Sequence, residues 1–514
     1  NIIYPDLCKM NLVILSAIVA VFGALYYYFT RTFNYWNDRN VRGPKPVPLF
    51  GNIFKFSAQS TYVGEIMKNA YHDYPNEKVV GVFRMTTPNL LIRDLDIAQH
   101  VMIKDFDNFV DRGIEFSKDG LGKNLFHADG DTWRVLRNRF SPMFTNQKLK
   151  NMMHLITDRA NIFTDYIQEI TAKNPEQPIH DLVQKYTIAS IAACAFGLDI
   201  DTFRKENETI KRVDRDIFKL NYGVELDMMY PGILKTFNVS IFPKSVTDFF
   251  RDIVKQVITE RNGLPSNRRD FMDLILEMRN KQELKAIKRF ETEQERVLEI
   301  TDSIIEAQAF VFYAAGYETS ASTMGFMLYH LALETEIQDK LRAEIDEYLR
   351  KNNNQIVLET LLNDVPYLEQ VFDETLRMYP IVDTLQRKAL KEYQLPGTDV
   401  KVAKDQVVLI SALGIHHDEE HYPNPSKFDP ERFTPDKVAA RHPCAYMPFG
   451  VGPRHCIGMR FAQVQSRICV IRLLSKFRLE PSKKTVRSFQ FHPRRLVLSP
   501  NERLYVNVFP RNDK

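Results

Sequence analysis

The sequence predicts an α+β chain, mainly α-helical, with a small antiparallel β region and one membrane-spanning helix in front of it. Three observations carry this reading. Charged-and-apolar stretches at residues 148–171, 242–262 and 291–333 keep a 3.6-residue period and suit helices. Short apolar runs at 78–85, 90–92, 406–410, 496–498 and 504–508 suit strands. Residues 10–30 contain no charged side chain at all. With 514 residues and 44% hydrophobic content the chain fills a sizeable core. A net charge of +4 gives no electrostatic footprint for nucleic acid. Five cysteines spread over this length (Cys8, Cys194, Cys444, Cys456 and Cys469) make no disulfide framework and suit a reducing compartment.

Taken in order, the first element is the anchor. Twenty-one uncharged residues, 10–30, span a hydrocarbon core of ~30 Å as a helix. Tyr26, Tyr27, Tyr28, Tyr35 and Trp36 supply an aromatic belt at its end. Arg31, Arg39, Arg42 and Lys45 follow it and Lys9 precedes it, which places the body in the cytosol. A cleaved signal peptide is the alternative, given Ala20, Gly23 and Ala24, but the uncharged stretch is long for one. Met10-Asn11-Leu12-Val13 reads as a natural start, with 1–9 as upstream residues. Residues 31–50 form a basic hinge in which Pro44, Pro46 and Pro48 forbid helix and stiffen the chain. Residues 51–514 are expected to form one catalytic body.

Four motifs in that body carry chemistry. Phe449-Gly450-Val451-Gly452-Pro453-Arg454-His455-Cys456-Ile457-Gly458 brackets one cysteine with Gly452 and Gly458, which permit tight turns and close approach of a flat group. A structural turn ending in a core thiol is the bland alternative. A zinc site from His442, Cys444, His455 and Cys456 fits neither usual ligand spacing. Trp133 and Arg137 sit at i and i+4, so a helix aims both at one carboxylate. Ala315-Gly316-Tyr317-Glu318-Thr319 interrupts an apolar helix with a glycine that costs ~1 kcal/mol there, so something comes close to its backbone. Thr319 could equally bond back to the Ala315 carbonyl and bend the helix. Glu374 and Arg377 form an i,i+3 pair, with Arg432 further on.

The ten-residue cysteine loop resembles, at every fixed position, the haem-binding signature of the cytochrome P-450 family, the haem-thiolate monooxygenases. The order and spacing of the other motifs are similar too, from about residue 40 to the C-terminus. The resemblance implies the P-450 fold and haem b, with Cys456 as the thiolate ligand of the iron. It makes Trp133, Arg137, Arg387 and Arg454 propionate ligands, with Arg112 a further candidate, and Phe449, Gly452 and Gly458 the loop that receives the haem. It makes Ala315 and Gly316 an oxygen groove, Thr319 and Glu318 a proton relay, and Glu374, Arg377 and Arg432 a buried triad holding the segment before the loop. Family topology points to residues 106–127, 306–312, 381–385 and 494–498 for the substrate pocket, with Phe109, Phe116, Phe126, Phe310, Phe312, Val382 and Val497 as lining. Core packing is the alternative for each.

No flavin or nicotinamide fingerprint is found in the sequence. The resemblance therefore implies electrons from a separate NADPH-dependent cytochrome P-450 reductase of the same membrane, with cytochrome b5 as a second donor. Arg134, Arg139, Lys148 and Lys150 are the expected basic contacts, with ordinary solvated charge as the alternative. The chain is expected to sit in the endoplasmic reticulum membrane, in contact with lipid, and to oxidise lipophilic small molecules such as plant toxins, insecticides or endogenous lipids. Asp111-Arg112-Gly113 and 141–145 resemble the microsomal branch that includes insect detoxifying enzymes. Two other functions stay open: a reductase-independent isomerase or peroxygenase, which often lacks the acid–Thr pair, and a non-enzymatic haem or lipophile binder.

Overall fold

A computed structural model describes residues 4–114, 120–204, 208–219, 223, 226–227, 233–237, 239–266, 268, 270–281, 283–285 and 297–511. Helix accounts for 56% of the described residues, so the α-rich expectation holds. The longer helices are α1 Tyr4–Thr30, α2 Gly130–Phe140, α3 Asn146–Thr171, α4 Ile179–Ile191, α5 Glu208–Phe218, α6 Lys244–Glu260, α7 Phe271–Lys281, α8 Asp302–Leu333, α9 Thr335–Lys351, α10 Pro366–Met378 and α11 Met459–Lys476. The strands are β1 Val79–Arg84, β2 Thr87–Ile92, β3 Glu176–Pro178, β4 Glu283–Lys285, β5 Val297–Glu299, β6 Thr384–Lys388, β7 Tyr393–Gln394, β8 Lys401–Val402, β9 Val407–Ser411, β10 Phe477–Pro481 and β11 Tyr505–Pro510.

Within α1, Met10–Thr30 is long and apolar enough to cross a bilayer, with a mean hydropathy of 2.2 and none of it buried. The helix ends where the chain turns onto the body. Trp36 is buried, and its Nε1 donates to the Val82 carbonyl at 3.3 Å. The amide of Gly81 donates to the Arg42 carbonyl at 2.8 Å. A Cβ on Gly43 would lie 1.8 Å from the Gly81 oxygen, so only glycine lets the proline-rich segment lie this close to β1. The stretch after the anchor is therefore fastened to the body at several points.

The main sheet has the order β1-β2-β9-β6, and only the β2–β9 pair in it is parallel. A second sheet, β10-β11-β3, and the pairs β4–β5 and β7–β8 are antiparallel. The strand expected at 496–498 does not form. That segment is irregular, held by Leu496 N–H on the Phe218 carbonyl (3.0 Å) and Leu498 N–H on the Ile381 carbonyl (3.0 Å). The helix expected from 291 starts at Asp302, where the Thr301 side chain caps the Ile304 amide. Residues 297–299 belong to β5 instead, and 291–296 lie outside the described residues.

Two apolar clusters fill the interior. One surrounds α8 and includes α3, α4, α10 and α11; the other packs Trp36, Val41 and Phe109 against the main sheet. Central α8 is buried on most of its circumference, as expected of a helix apolar all round.

Candidate active site

The cysteine loop is shaped by its own backbone. Gly450 and Gly452 take φ of 69° and 73°, where a side chain is strained, and a Cβ on Gly452 would lie 2.0 Å from the Met102 oxygen. The Cys456 amide donates to the Phe449 carbonyl at 2.8 Å and His455 N–H to the Gly452 carbonyl at 3.0 Å. Gly458 is different from the expectation. It begins α11 with φ −90°, open to any residue, and a Cβ there would meet Phe144 at an ordinary 3.8 Å. Gly450 supplies the second left-handed turn in its place.

Cys456 is exposed, yet the protein surrounds it closely enough that burial pushes its thiol up. A group with both properties lies on the wall of an internal cavity. Opposing that burial are the Gly458 amide and the guanidiniums of Arg137 and Arg112, and the thiol stands at the positive end of α11.

Four arginines gather beside this cysteine. Arg454 is buried, its Nη2 donating to the Ala128 carbonyl at 2.8 Å and its guanidinium lying 4.4 Å over the Trp133 ring. Arg137 Nη1 donates to the His455 carbonyl at 2.9 Å. Arg387, on β6, is buried with Nη1 on its neighbour's carbonyl. Arg112 donates to the carbonyls of Phe126 at 2.7 Å and Arg454 at 3.4 Å. Burial, then mutual repulsion, lowers the pKa of Arg112 well below its ordinary value. Burial likewise lowers Arg387 to about 9 and Arg454 to about 10, although Asp129 and Asp111 partly offset it at Arg454. Nε of Arg387 and both Nε and Nη1 of Arg454 are buried with no hydrogen-bond partner. Unpaired buried donors with surplus positive charge call for an anion. A haem, whose two carboxylates lie on one edge of a flat ring with iron at its centre, fits this donor set: four guanidiniums and a thiolate-forming cysteine around one cavity.

Behind the loop, Glu374, Arg377 and Arg432 meet as expected. Arg377 grips Glu374 bidentately at 2.7 and 2.9 Å with both side chains fully buried, and Arg432 Nε stands 3.4 Å from the same carboxylate. Arg377 also donates to the carbonyls of His416 (2.8 Å) and Pro425 (2.7 Å). His416, held neutral with its pKa down to about 3 by burial and Arg377, accepts the Met447 amide at 3.0 Å. This chain of contacts fixes the segment entering Phe449.

One ring separates the cysteine loop from α8: Phe144 lies 3.8 Å from a Cβ built on Gly458 and stacks 5.8 Å from Phe312 of α8. Ala315 is exposed, and Val311, Phe312, Gly316 and Thr319 are half-buried in a helix otherwise mostly sealed. Their i, i+4, i+8 spacing makes one face, the face toward open space. Thr319 Oγ1 donates to the Ala315 carbonyl at 2.7 Å, the back-bond foreseen as the alternative, and α8 runs on unbroken. What comes close to Gly316 is the Ile191 side chain of α4, 2.6 Å from an added Cβ.

Glu318 points away from that face. It is fully buried and accepts from Arg495 (2.7 Å) and Gln184 (2.8 Å), with His180 at 3.6 Å. Burial opposes its charge, but His180, Arg495 and Gln184 outweigh it and hold the carboxyl down to about 2. Gln184 also reaches Asp214 of α5 at 3.3 Å, to which Tyr317 donates. His180, Gln184, Asp214 and Arg495 carried no motif in the sequence; His180 and Gln184 stand out only as polar residues on the largely apolar α4, and Asp214 and Arg495 sit among other charged residues.

The expected pocket residues divide. Phe126 (38% exposed) and Val382 (40%) keep open faces, as does Leu496 (44%), which had not been singled out. Phe109 is buried in the sheet-side core with its ring edge-on to Tyr393. Phe310 is buried against Phe242 and Phe250, Val497 is buried, and Phe312 packs among Phe140, Phe144 and Phe271. Phe109, Phe310 and Val497 are core-packed, and Phe312 is half-buried at the edge of that packing. Phe116 lies outside the described residues. Among the expected docking cations, Arg134 pairs with Asp107, Arg139 with Glu277 and Lys150 with Glu359, while Lys148 is half-buried. No group of metal-ligating side chains of the zinc type occurs among the described residues.

The cytochrome P450 family model matches residues 41–508. The chain belongs to the cytochrome P450 family. It is 53% identical to cytochrome P450 6B2 of Helicoverpa armigera over 97% of this chain and 98% of the relative. It is 52% identical to cytochrome P450 6B1 of Papilio polyxenes over 97% and 100%. Cytochrome P450 6a2 of Drosophila melanogaster is 35% identical over 96% and 99%. As a member of this family the chain is a monooxygenase, with haem as its cofactor and a cysteine thiolate as the iron ligand.

Proposed function

We propose that this monooxygenase is anchored by α1 in the endoplasmic reticulum membrane, with its body, residues 51–514, in the cytosol. It takes electrons from an NADPH-dependent reductase, assisted by cytochrome b5, and inserts one atom of O2 into lipophilic small molecules: plant toxins, insecticides or endogenous lipids. The observation that carries this reading is Cys456 beside an arginine cluster with unsatisfied buried donors, with α8 one ring away through Phe144 and Phe312. The insect relatives support the xenobiotic substrate class.

Each residue has a definable task. Cys456 binds the iron, and Arg112, Arg137, Arg387 and Arg454, with Trp133 beneath the last, hold the carboxylates. When bound, the haem supplies the O2 chemistry, and a thiolate ligand favours O–O cleavage. Thr319 holds a hydroxyl at the cavity face, four residues from Ala315. Glu318 is the acid behind it, held in place by Arg495, Gln184 and His180. Phe126, Val382 and Leu496 offer apolar walls that exclude water and orient an apolar substrate. Arg134, Arg139 and Lys150 exchange weak surface ion pairs, each worth ~0–1 kcal/mol, for carboxylates of the reductase.

The reduced carbon monoxide difference spectrum, followed by turnover of an alkoxycoumarin ether with purified reductase, tests this reading. Thiolate-type absorbance and NADPH- and reductase-dependent turnover are expected, with Cys456→His losing both. Unchanged absorbance in Cys456→His, or turnover with peroxide but none with NADPH and reductase, would overturn it.

A further inference from the structure

Gln308 is fully buried on α8, and both ends of its amide reach across to one loop. Its Oε1 accepts the Leu125 amide at 2.9 Å, and its Nε2 donates to the Lys123 carbonyl at 2.9 Å and to the Ile304 carbonyl at 3.2 Å. A second buried amide works inside the loop. Asn124 donates to the Leu121 carbonyl at 2.7 Å, while its Oδ1 accepts the amides of Phe126 at 2.9 Å and His127 at 3.1 Å. Residues 121–128 have no strand partner, so these two side chains do for their backbone what a ladder does in a sheet.

Between the two clamps stands Phe126, 38% exposed. The guanidinium of Arg112 lies 4.2 Å over that ring and donates to the carbonyl of the same residue. The other end of the loop is tied to the cysteine side, since Arg454 donates to the Ala128 carbonyl. Gln308 thus sits where one side chain on the oxygen-side helix fixes an aromatic wall, and that wall leans on an arginine of the anion cradle. It is seven residues from Ala315 on the same helix, about 10 Å along the axis.

We infer that Gln308 is a specificity-determining positioning residue: by clamping Lys123 and Leu125 it sets where the Phe126 ring stands over the substrate cavity, and so which shapes of apolar ligand fit. This rests on the reading that lipophilic substrates occupy the cavity above Cys456. The amide is suited to the task because it must both accept and donate. Methionine has the same length and neither capacity. In Gln308→Met the Leu125 amide and Lys123 carbonyl lose their partners and are left buried and unsatisfied. The loop then moves toward water and takes Phe126 with it. Gln308→Glu keeps the acceptor for Leu125 but faces the Lys123 carbonyl with a second oxygen, so it falls between.

The test uses the full-length haem-loaded protein and needs no reductase. Amide hydrogen exchange is followed over residues 120–128, and spectral dissociation constants are measured for 4-phenylimidazole, bulky and flat, and 1-butylimidazole, slender and flexible. In Gln308→Met, exchange at Leu125, Phe126 and His127 should rise at least tenfold. The ratio of the two dissociation constants should change at least fivefold, with haem content and the carbon monoxide spectrum unchanged; Gln308→Glu should lie between. Faster exchange with an unchanged ratio makes Gln308 a structural brace only and overturns the proposal, as does unchanged exchange. If Gln308→Met loses its haem, Gln308→Glu and Asn124→Ser decide by the same ratio, and no change in either overturns it. Failure of both imidazoles to bind the wild-type protein would instead defeat the reading of the cavity itself.

Discussion

On the cysteine side of the cavity, Phe449–Gly458 is held by its own backbone and by a buried triad, two of whose members, Glu374 and Arg377, lie one helical turn apart. On the opposite side, the acid of α8 is held by side chains from three elements distant in sequence: His180 and Gln184 of α4, and Arg495 of an irregular C-terminal segment, with Asp214 of α5 behind them. The first arrangement is local and resists change. The second is an ionic cluster whose strength depends on protonation. The difference teaches that one cavity combines a rigid seat for a cofactor with an adjustable wall for protons and substrate.

The comparison breaks most sharply at Glu374. Glu374→Gln removes the charge between Arg377 and Arg432 and leaves two buried guanidiniums uncompensated. Breaking a buried ion network costs about 3–5 kcal/mol. The expected outcome is a large loss of haem-loaded protein, read as carbon monoxide absorbance per protein and as a lower Tm. Wild-type haem content and Tm would show that the seat does not depend on the triad.

Thr319→Ala should act on chemistry and spare the seat. The lost hydrogen bond runs only to the Ala315 carbonyl, so α8 loses nothing it needs and haem content stays normal. NADPH use should persist while product per NADPH falls, about tenfold or more by the usual weight of a proton-transfer group, with hydrogen peroxide making up the difference. The check is a three-way balance of NADPH, product and peroxide. An unchanged yield would reduce Thr319 to a helix-bending residue.

The same contrast explains what could be read from the sequence. Cys456, Arg454 and Gly452 lie within five residues, and the Glu374–Arg377 pair within one helical turn, so spacing alone exposes their geometry. The helix period found α3, α6 and most of α8 for the same reason. The glycine at 316 announced a close neighbour, but which one could not be read, because Ile191 is more than a hundred residues away and nothing local marks it. The strand at 496–498 failed because its apolar run is fastened to α5 and to Ile381 by single bonds rather than by a ladder. Gln308, Asn124 and Arg495 had no spacing to reveal them, since each acts through a tertiary partner. Among the aromatic residues, Phe109 and Phe310 look like Phe126 in sequence, and only packing separates core from wall.

The smallest expected effect concerns pH and the adjustable wall. His180 is buried, which disfavours its charged form, but Glu318 and Asp181 outweigh burial and raise its pKa to about 10. Its ordinary value is 6.5. A group raised on folding adds stability that is complete below 6.5 and lost as pH climbs toward 10. Glu318 runs the other way. Its pKa falls from 4.5 to about 2, so its share is present above 4.5 and fades only as pH drops toward 2. Between pH 7 and 10 the histidine therefore governs the cluster. Wild-type protein should lose a few degrees of Tm across that range. Glu318→Gln removes the charge that raises the His180 pKa, so its Tm should start lower at pH 7 and change less with alkalinity. His180→Gln keeps a hydrogen-bonding side chain that cannot titrate and should flatten the same limb. The measurement is Tm against pH from 6 to 10 for the three proteins, with the carbon monoxide spectrum confirming an intact seat at each point. Parallel curves for all three would mean that the His180–Glu318 contact at 3.6 Å carries no charge in the folded protein and that Arg495 alone holds the acid.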